Sequence, residues 1–138
     1  MRAEMNDEIK EILTKYKTIA VVGISDKSDR DSYIVGEYLL RNGYKIIPVN
    51  PNIDSVFGLK AYPDLLSVPD DVDIVDIFRR PEFVDEIVEQ AIQKGAKVVW
   101  MQLGVINERA AKRAQDAGLK VIMNKCIKVE HMYRFGNF

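Results

Sequence analysis

Short apolar runs recur along the chain and are separated by amphipathic stretches. The first run, residues 19–22, is continuously apolar and ends at Gly23, as expected for a strand buried on both faces. Similar runs are found at residues 45–49, 73–78, 97–101 and 120–123. Five strands are therefore predicted, and Pro48 in the second run indicates either a sheet edge or the end of that strand.

The amphipathic stretches predict helices between these strands. Residues 33–42 have helical spacing, with Ser32 in position to cap the N-terminus and Gly43 in position to form a left-handed C-terminal cap. A second helix is predicted after Pro81 and is stopped by Gly95. A third is predicted between residues 107 and 118, with an asparagine cap and a glycine at its end.

Strands that alternate with helices predict right-handed crossovers and a parallel sheet covered on both faces. The predicted fold is α/β, a doubly wound parallel sheet in a three-layer, Rossmann-like sandwich. A single domain of residues 1–138 is expected, with an N-terminal helix in residues 1–17, the core in residues 18–130 and a tail in residues 131–138. A short helix is also suggested near residues 126–133.

Composition limits the classes of function. The 138 residues include 20 basic and 21 acidic side chains, and the formal charge of −1 predicts no general attraction to nucleic acid or anionic lipid. Any anion site must therefore be local. The single cysteine cannot form an internal disulfide, no leader is recognised, and no apolar run approaches the ~20 residues of a membrane helix. A cytoplasmic protein is expected.

The loop after the first strand is the first candidate for ligand binding, because ligands of such sheets bind at the carboxyl ends of the strands. Gly23 allows a sharp turn, after which backbone N–H groups can face a diphosphate, and Ser25 adds a hydroxyl donor. The full dinucleotide fingerprint is absent, because Ser25 and Ser28 occupy the positions of the second and third glycines.

The loop after the second strand carries Asn50, where dinucleotide sites usually present an acidic residue to the ribose. A neutral amide does not repel phosphate. Lys27, Arg30 and Arg79 supply positive charge for a ligand that carries a phosphate on its ribose as well as a diphosphate. This combination disfavours NAD.

Five segments resemble the stand-alone CoA-binding domain family: residues 21–25, 48–51, 73–81, 95–104 and 126–127. The resemblance runs in order from about residue 18 to about residue 130. This family is similar to the N-terminal nucleotide-binding domain of the succinyl-CoA synthetase alpha subunit and of ADP-forming acyl-CoA synthetases. The resemblance implies that the cofactor is coenzyme A.

The resemblance also implies roles for individual positions. The residues expected to hold phosphates are Gly23, Ile24, Ser25, Lys27 and Arg30. Asn50 and Pro51 are expected to line the next part of the rim. Phe78 and Arg79 are expected to border the adenine or the pantetheine, and Gln102 and Gly104 the pantetheine arm.

Catalysis is not expected from these residues. The synthetases carry a second domain with a phosphorylated histidine, for which this chain leaves no room, and its only histidine, His131, lies outside any such motif. One histidine and one cysteine also lack the further ligands of a common metal site. Cys126 is either a small buried apolar residue or a thiol that forms a mixed disulfide with bound CoA.

The leading hypothesis is a CoA-binding protein without evident catalysis. One alternative is an enzyme that uses a dinucleotide or acyl-CoA, with activity assembled from Ser25, Gln102 or His131. Another is a regulator of a protein partner that responds to CoA. Neither nucleic acid nor membrane is expected as a partner. The C-terminal aromatic residues Tyr133, Phe135 and Phe138 could anchor the tail or form part of a dimer contact, so a homodimer or another protein partner stays open.

Overall fold

A five-stranded parallel sheet forms the centre of the molecule. The structure, a computed structural model, describes residues 7–136. The strands are β1 (Thr18–Val22), β2 (Lys45–Val49), β3 (Ser55–Val56), β4 (Leu59–Lys60), β5 (Ile74–Ile77), β6 (Val98–Met101) and β7 (Lys120–Met123). The order β2-β1-β5-β6-β7, with every neighbouring pair parallel, confirms the predicted doubly wound α/β sheet in a single domain.

Helices cover both faces of this sheet. They are α1 (Glu8–Lys15), α2 (Asp31–Arg41), α3 (Val84–Lys94), α4 (Glu108–Asp116) and α5 (Ile127–Phe135). Apolar residues of α1, α2 and α5 form one core cluster with the sheet, and those of α3 and α4 form the other. The three-layer prediction is therefore confirmed. None of the helices described within residues 7–136 has the length and apolar character needed to span a membrane.

The proline in β2 lies at a sheet edge, as one of the two predicted alternatives requires. Pro48 pairs with Val21 of β1, and β1 is the only neighbour that β2 has in the sheet as described. Because proline has no N–H to donate, an edge strand can accommodate it without losing a bond to a second neighbour.

The predicted helix caps are only partly correct. Gly43 follows α2 with φ of 90°, and Asn107 Oδ1 accepts a hydrogen bond of 2.9 Å from the Ala110 N–H at the start of α4. Ser32, in contrast, is not the cap of α2. The helix begins at Asp31, two residues before the predicted start at residue 33, and Ser32 is buried in its first turn. The serine there accepts a bond from the preceding loop instead.

The C-terminal helix is longer than expected. Helix α5 ends at residue 135, two residues beyond the helix suggested near residues 126–133 and within the segment assigned to the tail, and it packs against α1 and α2. Buried His131 anchors it, because its Nδ1 lies 2.6 Å from the Tyr38 hydroxyl and its ring stacks on Phe135. The parts of the predicted N-terminal helix and tail at residues 1–6 and 137–138 lie outside the described residues.

A small antiparallel hairpin, β3 and β4, was not predicted. Its turn uses Phe57 and Gly58, both at positive φ of 58° and 74°. The Phe57 ring packs on Tyr33 of α2 at a centroid distance of 4.7 Å. Strands of two residues are too short to show an alternating pattern, so the sequence contained no usable signal for them.

The end of β1 approaches the end of β5 very closely. Gly23 has φ of 92°, and a Cβ atom at this position would overlap the Phe78 carbonyl oxygen. Two backbone hydrogen bonds of 2.8 Å fix the end of β1 between its neighbours: Gly23 N–H donates to Val49 O, and Phe78 N–H donates to Val22 O. Only glycine satisfies both the backbone angle and the spacing at this point.

We expect Gly23→Ala to destabilise the fold by about 1–3 kcal/mol more than Gly43→Ala. Both substitutions place a Cβ on a left-handed backbone, but Gly43 has open space around it, whereas Gly23 faces the Phe78 carbonyl. Urea unfolding of the two variants measures the difference. Equal losses of stability would show that the close approach is not a constraint.

We expect the stability of the protein to fall as pH drops below 6.5, through His131. Burial, followed by repulsion from Lys17, lowers the pKa of this histidine from its ordinary value of 6.5. The neutral ring therefore contributes stability above pH 6.5 that is lost as pH falls through the lowered pKa. Between pH 7.5 and pH 5.5, the denaturation midpoint should fall less for His131→Phe than for the unsubstituted chain. An equal fall in both proteins would contradict this.

Candidate ligand-binding site

The point where strand order reverses lies between β1 and β5. From β1 the chain passes to β2 at the edge, and it returns to β5 on the opposite side of β1. In doubly wound sheets, this reversal opens a crevice at the carboxyl ends of the strands. Here the crevice contains Gly23 from the first strand's loop and Phe78 and Arg79 from the loop after β5. One cavity opens on each side of this turn.

The turn after β1 is held in place by side chains on two neighbouring segments. The carbonyl of Ile24 accepts a hydrogen bond of 2.7 Å from Asn50 Nδ2, and the Ser25 N–H donates to Ser32 Oγ at 2.9 Å. Among residues 7–136, none accepts a hydrogen bond from the Ile24 N–H. Ile24 is completely buried, so this N–H is not exposed to a ligand.

One of the predicted donors in this loop serves the loop itself. The Ser25 N–H donates to Ser32, whereas the Ser25 hydroxyl accepts a bond of 2.9 Å from the Lys27 N–H and keeps its own O–H to donate. Helix α2 begins directly after the loop, so its first-turn N–H groups add donors with no intrahelical partner. The available donors thus come from the Ser25 hydroxyl and from the start of α2.

On the β2 side of the turn lies a cavity of about 340 Å³, here called the cationic crevice. It is lined by Gly23, Asn50, Pro51, Asn52, Arg79, Arg80 and Phe83. Two arginines and no carboxylate are among these residues. The Arg79 guanidinium lies 4.4 Å from the centroid of the Phe83 ring, whereas Arg80 Nε forms an ion pair with Glu82 Oε2 at 3.6 Å. Arg79 is therefore the better placed cation for an anion in this crevice.

A deeper pocket of about 280 Å³ continues from the cationic crevice, with which it shares Pro51, Arg79 and Phe83. Its apolar walls are formed by Val22, Val49, Leu65 and Ile87, and its polar residues are Asp64, Glu86 and Gln90. The carboxylates of Asp64 and Glu86 disfavour phosphate binding in this pocket. An apolar floor with acceptors around it suits a flat aromatic base that carries an amino group.

On the other side of the turn lies a second cavity of about 340 Å³, here called the apolar crevice. It is lined by Asp31, Ile34, Val35, Phe78, Gln102, Leu103, Cys126, Lys128 and Val129. Five of the nine are apolar side chains, and two of these, Leu103 and Val129, are 70% and 55% exposed. An extended, mostly uncharged group fits such a surface.

Gln102 of the apolar crevice is joined to a buried carboxyl. Its Nε2 donates to Asp76 Oδ1 at 2.8 Å, and both residues are buried. Burial raises the pKa of Asp76 to about 8, against a smaller lowering by the bond from Gln102. The other oxygen, Oδ2, is buried and makes no hydrogen bond to any described residue. Asp76 is therefore protonated at neutral pH.

The structure brings together part of the predicted site. Gly23, Asn50, Pro51 and Arg79 line the cationic crevice, and Phe78 and Gln102 line the apolar crevice. The remaining predicted positions line neither cavity: Ile24, Ser25, Lys27, Arg30 and Gly104. Ile24 and Ser25 belong to the turn between the crevices, and Lys27 and Arg30 are exposed on its outer part. Gly104 N–H donates to Asn124 Oδ1 on a neighbouring loop.

Phe83, which lines the cationic crevice, and Asp76, which bonds to Gln102 of the apolar crevice, were not predicted as site residues. Phe83 falls in the helix predicted after Pro81, and its position after two arginines was a usable signal. Asp76 falls in the strand predicted at residues 73–78, where a charged residue in a strand buried on both faces was an equally usable signal. His131 lines neither crevice, and no cluster of three metal-binding side chains occurs within the part of the chain that the structure describes.

Comparison with known proteins gives a consistent result. The family described as a CoA binding domain matches residues 17–132. YneT of Bacillus subtilis (strain 168) is 46% identical over 124 residues, which cover 90% of this chain and 92% of YneT. A solved structure from Pyrococcus horikoshii OT3 has 49% identity and a TM-score of 0.92, and it covers 94% of this chain and 92% of its own.

A larger enzyme contains a related segment. ADP-forming acetate–CoA ligase II of Archaeoglobus fulgidus is 35% identical over 101 residues, which make up 72% of this chain but 15% of the ligase. The chain thus corresponds to one small part of that enzyme. The family match over residues 17–132 and the similarity to YneT along almost its full length confirm the predicted resemblance, and the chain belongs to the CoA binding domain family.

Proposed function

We propose that this chain binds coenzyme A across the Gly23 turn, with the diphosphate at the Ser25 hydroxyl and the start of α2. The observation that carries the proposal is the glycine-dependent approach of β1 to β5, which places this turn between two crevices of different character. A backbone N–H at a helix start is a favourable partner for phosphate oxygens. The family to which the chain belongs supports CoA as the ligand.

The charge distribution supports placing the nucleotide on the β2 side. The cationic crevice has Arg79 above its Gly23 edge and no carboxylate, so it suits the phosphate on the ribose. The deeper pocket carries Asp64 and Glu86 and repels phosphate, but it offers apolar walls to the adenine. The nucleotide end of CoA requires both kinds of surface next to each other.

The pantetheine arm then extends in the opposite direction, into the apolar crevice. This arm is uncharged and contains two amide groups, so it needs apolar contact with few polar partners. Phe78 and Leu103 supply apolar surface, and Gln102 supplies an amide. Cys126 lies on the same wall, and its mixed disulfide with the CoA thiol stays a prediction.

Binding without turnover is the form of the function that the contacts favour. The side chains of Ser25, Gln102 and His131, the residues of the alternative enzyme, each bond to a different part of the protein: Ser25 to the Lys27 N–H, Gln102 to Asp76 and His131 to Tyr38. No two of the three bond to each other among the described residues. A nucleophile and its base are expected to share a hydrogen bond. A homodimer, a protein partner and a cytoplasmic location stay predictions.

We expect calorimetric titration to show stronger binding of CoA than of dephospho-CoA, by about tenfold, and weaker binding still of NAD and ATP. Loss of the ribose phosphate removes the partner of Arg79, and NAD and ATP lack the arm. Equal affinity for CoA and NAD would contradict the assignment of the cationic crevice. Absence of CoA binding would contradict the proposed function itself.

We expect Arg79→Ala to weaken CoA binding by about tenfold, because it removes a charge-assisted bond to phosphate. Arg41→Ala is the matched control. Arg41 is an exposed arginine in the last turn of α2, far along the helix from the turn, and pairs with Glu37 at 3.5 Å. The control should bind CoA as the unsubstituted chain does. Equal losses in both variants would indicate only a general charge effect.

A further inference from the structure

The interior of the sheet is apolar except at one position. Asp76 lies in β5 between Val21 of β1 and Trp100 of β6, and it is completely buried. Both neighbours belong to the core cluster under α1, α2 and α5, so Asp76 faces the same layer. Phe78, two residues further along this side of the chain, lines the apolar crevice.

A carboxyl at this position reduces stability. Burying a polar group with one oxygen unpaired costs about 1–3 kcal/mol, and a valine or leucine would fill the space without that loss. The one hydrogen bond that Asp76 makes is to Gln102, which has a 3% exposed surface and lines the apolar crevice. Asp76 is therefore linked to the apolar crevice through the Gln102 side chain.

Gln102 is fixed at both its backbone and its side chain. Its N–H donates to Ile77 O at 3.3 Å, its carbonyl accepts from Val105 N–H at 2.8 Å, and its Nε2 is engaged by Asp76. One N–H of Nε2 is engaged by Asp76, so the amide presents Oε1 as its acceptor and keeps one further N–H. This acceptor, in a wall of mostly apolar residues, suits a ligand group that presents an N–H.

We propose that Asp76 is a positioning residue that orients the Gln102 amide so that Oε1 accepts a hydrogen bond from an amide N–H of the cofactor's arm. This inference rests on the proposed function, because it assumes that the arm enters the apolar crevice. A buried residue without solvent contact thereby determines how one end of the ligand is held.

The bond from Gln102 to Asp76 forms in either protonation state of the carboxyl, because a carboxylate oxygen and a carbonyl oxygen both accept from Nε2. The residues paired with Asp76 in β1 and β6, Val21 and Trp100, carry no charge. The titratable and charged groups that line the crevice are Asp31 on α2 and Cys126 and Lys128 at the start of α5. The orientation of Gln102 therefore depends on the acceptor oxygen at residue 76.

The test compares CoA with adenosine 3′,5′-bisphosphate, which keeps the 3′-phosphate and one 5′-phosphate of the nucleotide but has no arm. We expect Asp76→Leu to weaken CoA binding by about tenfold and to leave the bisphosphate affinity unchanged. Asp76→Asn, whose amide reproduces the neutral carboxyl, should restore CoA affinity to within about twofold. Gln102→Leu should reproduce the selective loss, and it provides the same comparison if Asp76→Leu does not fold.

Rescue by asparagine distinguishes positioning from packing. Leucine and asparagine both fill the space of Asp76, but only asparagine keeps an oxygen that accepts from Gln102 Nε2. Failure of Asp76→Asn to restore CoA affinity, or equal losses of CoA and bisphosphate affinity in the Leu variants, would overturn the inference. If the unsubstituted chain bound neither ligand, the proposed function would fail instead.

Discussion

The close approach of Gly23 to the Phe78 carbonyl is the constraint on which the rest of the site depends. It occurs where β1 and β5 lie side by side and the chain has changed direction across the sheet. A side chain at residue 23 would push the two strand ends apart. The turn would then lose its bond to Val49, and with it the position of the Ser25 loop. Fold and site are thus built from the same contact.

This contact also divides the upper edge of the sheet into two surfaces of opposite character. Arg79 and the loop after β2 give one side positive charge, whereas Phe78 and the residues at the start of α2 and α5 give the other side apolar surface. A ligand that crosses the turn must therefore be anionic at one end and largely uncharged at the other. Coenzyme A has this distribution of charge. A dinucleotide whose charged groups lie only near its centre does not match the two surfaces.

The strands, the layers and the glycine turn were predictable from the sequence, because each has a local signal: an apolar run, a helical stripe or a glycine after a strand. The Ser32 cap was wrong because a serine near a helix start can bond to a loop outside the helix, and the choice depends on tertiary contacts. Lys27 and Arg30 are exposed and line neither crevice, and their contact with phosphate stays a prediction. Asp76 was missed because its partner, Gln102, follows a different strand of the sheet.

A crystal structure of the protein with coenzyme A bound tests the central claim most directly. The account predicts that the cofactor's diphosphate accepts a hydrogen bond from the Ser25 hydroxyl beside the Gly23 turn, with adenine beside Phe83 and the arm beside Phe78. A diphosphate bound elsewhere on the surface, or a cofactor with its arm on the β2 side, would contradict it. Either result would mean that the glycine turn serves the fold alone.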